Sequence, residues 1–376
     1  MNIDWDDFDK SEVIGSGLFG TSYLLIFNNV DYVLKVQKIF KNQKKKDMKI
    51  PFWRELKFYD VIKKKVPKEY QKFFMKLIKY RFKENCKHIQ KRTFVPNNPE
   101  LKKHLKELDK SNTCLEMLVE YKGYTLGNIM HYYTPNKNQI LSLILQLCIS
   151  EKILRKINYL HNDMHVNNIA VKKSNEKFIQ IKHKKKKHKF PLHGLQLSLI
   201  DYGNLVNLND SSNKNFNANK EQIFLFEIIP VIINDLCFGN AQFIRSCNKK
   251  KKKLPWIKDP NFTYNFLVKI LKNEHKIWKK MRAKIHKVFP LMEFYLFRFE
   301  NNPTIEQYKQ IDSFFTGYAG IDSIINFFRF YYPKKYVKYM GWCSDHKPLV
   351  SRKIIKKILY TNNLDDLISY LLKIIK

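Results

Sequence analysis

The chain has 376 residues, of which 44% are hydrophobic and 14% aromatic, enough apolar surface for one large domain or two lobes. No apolar run reaches the roughly 18 residues that a membrane-spanning helix needs. The start, MNIDWDDFDK, is acidic and lacks the basic and apolar regions of a signal peptide. We therefore expect a cytoplasmic protein without a membrane span.

Lysine dominates the charge: 70 Lys and Arg stand against 34 Asp and Glu, for a net charge of +36. Lysine runs occur at 44–46, 184–187 and 249–253. Such runs can attract nucleic acid, phosphoproteins or anionic membrane. They can equally be solvated loops of a chain rich in Lys, Asn, Ile and Phe, and lysines without interleaved aromatics specify no partner. Both interpretations stay open.

Six cysteines lie at positions 86, 114, 148, 237, 247 and 343. None forms a Cys-x-x-Cys pair, so neither a zinc site nor a disulfide framework is indicated. We expect reduced thiols.

A glycine-rich stretch, VIGSGLFGTSYLLIF, places Gly15, Gly17 and Gly20 in G-x-G-x-x-G spacing. In a dinucleotide-binding fold these glycines would lead into a helix. Here TSYLLIFNNVDYVLKVQKI predicts a strand, an Asn-Asn turn and a second strand instead. The hairpin favours a glycine loop that closes over phosphates.

The second predicted strand carries Lys35 between Val33, Leu34 and Val36, where it could meet nucleotide phosphates or be an exposed charge. The next segment, PFWRELKFYDVIKKK, predicts a helix from which Glu55 could reach back to the Lys35 ammonium. A pair of this kind pre-organises a cation against phosphate charge.

Two polar motifs follow. HNDMHVNNIAV, residues 161–171, combines two His, an Asp and three Asn before a predicted short strand, and LIDYGN places Asp201 after another. Between the glycine loop and these motifs, NTCLEMLVEYKGYTLGNIM predicts a strand and a connector, and NQILSLILQLCISEKILRKINYL predicts a long helix. NKEQIFLFEIIPVIINDLCFG predicts a further buried helix, kinked near Pro230.

In this order, the elements resemble the protein kinase superfamily: a glycine loop, a strand lysine, a helix glutamate, a catalytic loop H-R-D-x-x-x-x-N and a D-F-G motif. The resemblance implies an α+β fold with two lobes. Residues 1–118 would form an N-lobe with a small antiparallel β-sheet and one main helix, and residues 119–376 a larger, mainly α-helical C-lobe. A narrower resemblance is to kinase-like proteins of large nucleocytoplasmic DNA viruses, which would place the protein in the host cytoplasm or the virion.

The resemblance also implies the roles of the site residues. Asp163 would accept the proton of the attacking hydroxyl, Lys35 would hold the nucleotide phosphates, and Asn168 and Asp201 would bind Mg²⁺. His161 would be structural. The ATP-binding residues implied are Ile14, Gly15, Gly17, Gly20, Val33, Lys35, Glu55, Val119, and the backbone of Glu120 and Lys122.

Several positions depart from the family pattern. Asn162 replaces the usual arginine, His165 replaces the lysine two residues after the catalytic Asp, and no A-P-E motif follows DYG. Between Asn168 and Asp201 the chain adds KKSNEKFIQIKHKKKKHKFPLHGLQ, which predicts a basic hairpin.

These features leave three functional hypotheses. The first is an ATP- and Mg²⁺-dependent Ser/Thr protein kinase that acts on a protein substrate. The second keeps the fold but transfers phosphate to a small molecule, because His165 and the missing A-P-E weaken the expectation of a protein acceptor. The third is a catalytically silent module that binds polyanions or nucleic acid through the lysine runs. The sequence does not specify the oligomeric state.

Overall fold

The computed structural model describes residues 5, 12–17, 20–86, 99–211, 223–229, 232–233, 236, 349–359, 361 and 363–375. The fold is α+β, with antiparallel sheets and helices. The chain divides into two compact units. The first comprises Met1–Gly123, His161–Asp163 and Ser198–Leu205, and the second comprises Tyr124–Leu160, Met164–Leu197 and Val206–Lys376.

The first unit is built on a five-stranded antiparallel sheet of order β1-β2-β3-β5-β4. Its strands are β1 (Glu12–Ser16), β2 (Gly20–Phe27), β3 (Val30–Ile39), β4 (Leu77–Glu84) and β5 (Thr113–Glu120). Its helices are α1 (Pro51–Lys65) and α2 (Pro99–Asp109), and short 3₁₀ turns cover Lys41–Lys44 and Lys68–Phe73. The predicted hairpin, the α1 helix and the β5 strand are confirmed.

The β2–β3 hairpin closes through Asn28 and Asn29, whose φ angles are 48° and 59°. Two consecutive residues with positive φ form a type I′ turn, whose twist matches that of the two strands. Asn adopts this backbone region more readily than most residues, so the Asn-Asn dipeptide sets the register that pairs Phe27 with Val30.

Helix α1 packs on one face of the sheet. On that face Lys35 of β3 pairs across the strands with Ser22 and Met117. The rings of Trp53 on α1 and Phe82 on β4 lie 5.6 Å apart. Because side chains alternate along a strand, Lys35 points toward α1, and the next residues on either side point away from it.

The opposite face buries its own apolar cluster: Tyr23, Leu25, Tyr32, Val36, Cys114 and Leu118. Trp5 packs against this cluster, and its ring lies 4.4 Å from Lys79 Nζ and 4.3 Å from Arg81 Cζ, both in cation–π geometry.

One pair of cysteines departs from the expectation of reduced thiols. The structure joins Cys86 and Cys114 as a disulfide with a Cα–Cα distance of 5.8 Å. Cys86 follows the end of β4, and Cys114 lies near the start of β5, its antiparallel neighbour. The sheet register thus brings together two thiols that are 28 residues apart, which their spacing along the chain did not indicate. Cys148 is a buried thiol, and burial raises its pKa.

The second unit is organised around the long helix α4 (Lys137–Lys156), which confirms the predicted helix. Its other elements are β6 (Tyr124–Thr125), α3 (Leu126–Tyr132), β7 (Tyr159–Leu160), β8 (Ile169–Lys173), β9 (Phe178–His183), β10 (Lys186–Pro191), β12 (Val206–Asn207), α5 (Arg352–Leu359) and α6 (Leu364–Ile374), together with the first three residues of β11 (Leu195–Leu199), whose last two residues belong to the first unit. Asn136 and Gln139 form a reciprocal capping box at the start of α4.

Buried polar side chains on α4 fix the strands beside it. Ser142 Oγ donates to the Pro191 carbonyl (3.0 Å), and Gln146 Nε2 donates to the Leu195 carbonyl (3.0 Å) while its Oε1 accepts from Leu197 N–H (2.8 Å). These hydrogen bonds satisfy polar groups that would otherwise be costly to bury.

The predicted basic hairpin is confirmed as β9 and β10, joined through Lys184 and Lys185. Of the predicted helix with a kink near Pro230, residues Ile223–Ile228 form a π-helical turn, and Pro230 lies outside the described residues. Within the described part of the chain, no helix combines the length and apolarity required to cross a membrane.

Candidate active site

The glycine loop connects β1 to β2. Gly17 N–H donates to the Gly20 carbonyl at 2.8 Å. A Cβ at Gly20 would overlap the Val36 carbonyl oxygen on β3, so this position requires glycine. Gly15 and Gly17 are exposed. Residues 18 and 19, between them and Gly20, lie outside the described residues.

The predicted pair of Lys35 and Glu55 is present. Lys35 Nζ lies 2.7 Å from Glu55 Oε1 and 3.9 Å from Asp201 Oδ1. Burial alone would lower the pKa of Lys35, but the charges of Glu55 and Asp201 and the hydrogen bond to Glu55 outweigh burial, and the pKa is raised. Lys35 is therefore a fixed cation between two carboxylates that come from distant parts of the chain.

Glu55 has a second donor. The Tyr59 hydroxyl donates to Glu55 Oε1 at 2.9 Å, so this oxygen accepts from both Lys35 and Tyr59. The Glu55 side chain is only 4% exposed. Burial, followed by the charge of Glu55, raises the pKa of Tyr59 well above its ordinary value. The sequence signal that could have indicated Tyr59 is its position four residues after Glu55 on one helix.

The DYG motif is anchored by its tyrosine. The fully buried Tyr202 hydroxyl donates to the Leu199 carbonyl at 2.6 Å and accepts from Met75 N–H at 2.7 Å. The Tyr202 ring contacts Phe58 and Tyr59 of α1, with centroid distances of 4.8 and 5.3 Å. Burial raises the pKa of Tyr202 well above its ordinary value, so it stays a neutral hydrogen-bonding group.

Asp201 itself is partly exposed to solvent. Its backbone is left-handed (φ 60°), and its side chain remains 51% exposed. Arg54 of α1 fixes the next turn, because its Nε and Nη2 donate to the Gly203 carbonyl at 3.1 and 2.9 Å. Helix α1 therefore holds the DYG segment through Arg54 as well as through packing, a contact that sequence reasoning missed.

The start of the HNDMHVNN motif, the predicted catalytic loop, belongs to the same unit. His161 is buried, and its Nε2 lies 3.1 Å from the Ile200 carbonyl, in agreement with a structural role. Asp163 is half-buried, and its Oδ2 accepts from Asn204 Nδ2 at 3.1 Å. Asn162 has a positive φ of 58° and donates to the Asn204 carbonyl at 3.4 Å. Asn204 was missed because nothing in the motif pairs it with Asp163.

The rest of the loop lies in the second unit. Asn168 is 7% exposed and ends the 3₁₀ turn Val166–Asn168. The expected short strand is present as β8, which begins at Ile169, directly after Asn168. His165 Nδ1 accepts from Asn167 N–H at 3.2 Å. The pairing of Asn168 with Asp201 around a metal ion stays a prediction.

The proposed adenine-binding residues lie in the first unit. Val33 and Val119 pair across β3 and β5, on the same face as Lys35. Ile14 is half-buried at an irregularity in β1. After β5, the buried Lys122 forms an ion pair with Glu120 (Nζ to Oε2, 2.8 Å). The first unit thus contains every expected nucleotide-binding residue.

No group of three or more His, Cys, Asp and Glu side chains suitable for a metal occurs among the residues that the structure describes. The expected Mg²⁺ ligands, one aspartate and one asparagine, would not form such a group, since Mg²⁺ keeps waters and substrate oxygens as its other ligands. The partly exposed Asp201 carboxylate supplies oxygen atoms of the kind that Mg²⁺ prefers.

A scan of protein-family models finds none that matches the chain, and a search of curated proteins also returns no match.

Proposed function

We propose that this protein is an ATP- and Mg²⁺-dependent phosphotransferase with a bilobal kinase-like fold, and that it acts as a Ser/Thr protein kinase on a protein hydroxyl. The observation that carries the proposal is the position of Lys35 Nζ, 2.7 Å from Glu55 and 3.9 Å from Asp201. A strand lysine, a helix glutamate and the aspartate of a DYG motif meet in this arrangement.

Lys35 would contact the nucleotide phosphates. Glu55 holds the ammonium in place, Tyr59 holds Glu55, and the cation therefore needs little reorganisation when phosphate arrives. Asp201 and Asn168 would hold Mg²⁺, which when bound neutralises charge on the phosphates. Val33 and Val119 would contact the adenine.

Asp163 would orient the acceptor hydroxyl and take its proton. Its half-buried carboxylate accepts a hydrogen bond from Asn204 Nδ2, and a carboxylate offers about four acceptor sites in all. Asn204 acts as a positioning residue, because its amide sets the orientation of the Asp163 carboxylate.

A small-molecule acceptor is the alternative within the same fold. His165 supports it, because a histidine stands where the family has a lysine, and its ring Nδ1 accepts from Asn167 N–H of its own loop. Residues 212–222, where a protein-substrate platform would be expected, lie outside the described residues. Phosphate transfer to proteins, with none to metabolites in a broad panel, would exclude this alternative.

Phosphate transfer from labelled ATP tests the central proposal. Asp163→Asn should lower turnover by roughly 10²- to 10⁴-fold, the usual contribution of a positioned base, while nucleotide binding persists. Asp60→Asn is the matched control, because Asp60 is an exposed carboxylate on α1 outside the site. Equal turnover in the Asp163→Asn variant and the wild type would refute the assignment of Asp163.

Nucleotide binding separates a phosphotransferase from a catalytically silent module. Mg²⁺-ATP at about a hundredfold above its Kd should stabilise the fold by roughly 2.7 kcal/mol, and Lys35→Met should remove most of this stabilisation. Absence of any ATP-dependent thermal shift in the wild type would favour the silent module.

A further inference from the structure

The β9–β10 hairpin has two distinct faces. Its inner face carries Ile179, Ile181 and Phe190, all at least 96% buried. Because side chains alternate along each strand, the residues between them point outward. The strand register therefore separates an apolar anchor from a polar surface on the same two strands.

The outer face is a row of cross-strand pairs. Lys182 faces Lys187, Gln180 faces Lys189, and Phe178 faces Pro191. The three lysines are exposed. The segment 172–191 contains nine lysines and a single glutamate, so its field is strongly positive, and like charges face each other across the strands at some cost to the hairpin.

An aromatic ring interrupts this basic surface. Phe178 is 47% exposed, and Lys189 Nζ lies 4.4 Å from the centre of its ring. An exposed Phe beside lysines on a two-stranded ribbon offers both a stacking platform and contacts for phosphates. Along the sequence, the lysine runs contain no interleaved aromatic residue and specify no partner. In the folded hairpin, Phe178 supplies an aromatic ring among the lysines.

The hairpin is also held firmly within the second unit. The Ser142 hydroxyl binds the Pro191 carbonyl on β10, and His183 at the end of β9 contacts Ser369 of α6 (Nε2 to Oγ, 2.8 Å). Lys184 in the turn forms an ion pair with Asp366 at 3.0 Å. A surface that is already ordered loses less entropy when a ligand binds.

We propose that the outer face of the β9–β10 hairpin binds single-stranded nucleic acid, with lysines 182, 187 and 189 on phosphates and Phe178 stacked on a base. Sequence-tolerant binding of this type uses a basic surface and aromatic platforms. An anionic membrane would use the same lysines but would gain from a broader apolar surface. The single exposed aromatic ring therefore favours nucleic acid. This inference is independent of the proposed phosphotransferase activity.

Fluorescence anisotropy of the full chain with labelled oligothymidylate and oligouridylate tests the proposal. Replacing Lys182, Lys187 and Lys189 together by Gln should weaken binding roughly a hundredfold at about 0.1 M salt. It should also reduce the salt slope, the steepness with which the logarithm of affinity falls with the logarithm of salt concentration, by about two. Phe178→Leu should weaken binding roughly five- to a hundredfold, the effect of losing one stacked base, and leave the salt slope unchanged. Replacing Lys63, Lys64 and Lys65 of α1 by Gln is the charge-matched control and should change affinity by less than about threefold.

Each other outcome overturns the proposal. If the α1 control variant loses as much affinity as the hairpin variant, binding reflects net charge and has no defined site. If Phe178→Leu binds as the wild type does, the ring is not a platform. If vesicles containing phosphatidylserine bind in a lysine-dependent manner and the oligonucleotides do not, the hairpin is a membrane surface. Thermal unfolding of each variant verifies that the substitutions, all at exposed positions, leave the fold intact.

Discussion

Two hairpins of this protein share one construction and use lysine in opposite ways. β2–β3 turns through Asn28 and Asn29, and β9–β10 turns through Lys184 and Lys185, with two consecutive positive φ angles in each case. The first hairpin points Lys35 inward, where it is 20% exposed and lies between two carboxylates. The second keeps Lys182, Lys187 and Lys189 on its outer face.

The difference shows that the role of a lysine depends on whether its strand position faces inward or outward. An inward-facing ammonium is costly unless counter-charges accompany it, so Lys35 is a specific feature of the site. Outward-facing lysines are individually inexpensive and act through their combined field. The inward-facing ionisable group of the second hairpin is instead His183, which is 3% exposed.

The largest contrast is expected from replacing one lysine in each hairpin by Met. Lys35→Met leaves the buried Glu55 without its cation, which we expect to cost about 1–3 kcal/mol of unfolding free energy and to reduce phosphate transfer at least roughly a hundredfold. Lys187→Met should change the stability by less than about 0.5 kcal/mol and leave turnover unaltered. Urea unfolding and turnover assays measure both effects, and equal effects of the two substitutions would show that burial does not distinguish these lysines.

Acid should loosen the second hairpin. The Ser369 hydroxyl donates to the Asp365 carbonyl, so it accepts from His183 Nε2–H, and Nδ1 is left to accept from Lys152 Nζ at 3.2 Å. Burial, followed by the charge of Lys152, lowers the pKa of His183. The charges of Lys184 and His188 lower this pKa further, whereas the carboxylate of Asp365 raises it without reversing the shift.

The sign of this pH effect follows from the lowered pKa. The stabilising contribution of neutral His183 is fully present above the ordinary histidine pKa of about 6.5 and is lost as the pH falls through the lowered value. We expect a loss of roughly 1–2 kcal/mol, since protonation removes one hydrogen bond and places a charge beside Lys152. Urea unfolding and hydrogen exchange of α6 as a function of pH measure it. His183→Gln should flatten the profile; an unchanged profile in this variant would assign the effect to other groups.

A smaller effect is expected when Glu55 loses its second donor. Tyr59→Phe should cost about 0.5–1.5 kcal/mol and slow phosphate transfer several-fold, because Glu55 then holds Lys35 less firmly. Since the pKa of Tyr59 is raised, its contribution to the free energy of unfolding is fully present below about pH 10 and is lost as the pH rises further. The Tyr59→Phe variant should therefore lose less stability in alkali than the wild type does. Tyr80→Phe, at an exposed tyrosine on β4, is the control; a loss there equal to that of Tyr59→Phe would indicate a general effect of tyrosine hydroxyls.

The smallest expected effect concerns the two turns. Lysine is strained at positive φ, whereas Asn tolerates it. Lys185→Gly should therefore stabilise the protein by about 0.5–1 kcal/mol, and Asn29→Gly by less. If the slope of unfolding free energy against urea concentration is the same in both variants, the shifts of their urea midpoints measure the difference in stabilisation. A larger stabilisation from Asn29→Gly than from Lys185→Gly would show that the lysine is not the more strained of the two turn residues.

Much of the local structure could be predicted from the sequence. The Asn-Asn dipeptide between alternating strands, the 3.6-residue periodicity of α4 and the basic hairpin each depend on neighbouring residues, and all three are confirmed. The contact between Lys35 and Glu55 could be anticipated because a strand lysine and a helix glutamate in this order follow a known pattern.

Other contacts could not be predicted, because they depend on how distant segments meet. Asn204 binds Asp163 from 41 residues away, and Arg54 reaches Gly203 across 149 residues. The disulfide of Cys86 and Cys114 depends on the β4–β5 register.

The contact between His183 and Ser369 has a consequence for biosynthesis. These residues are 186 positions apart, so at typical translation rates the ribosome needs about ten to forty seconds to make the segment between them. Until α6 emerges, the nascent β9–β10 ribbon lacks its partner helix and leaves part of its inner surface open to chaperones. Completion of this unit is therefore expected only after α6 has left the ribosome.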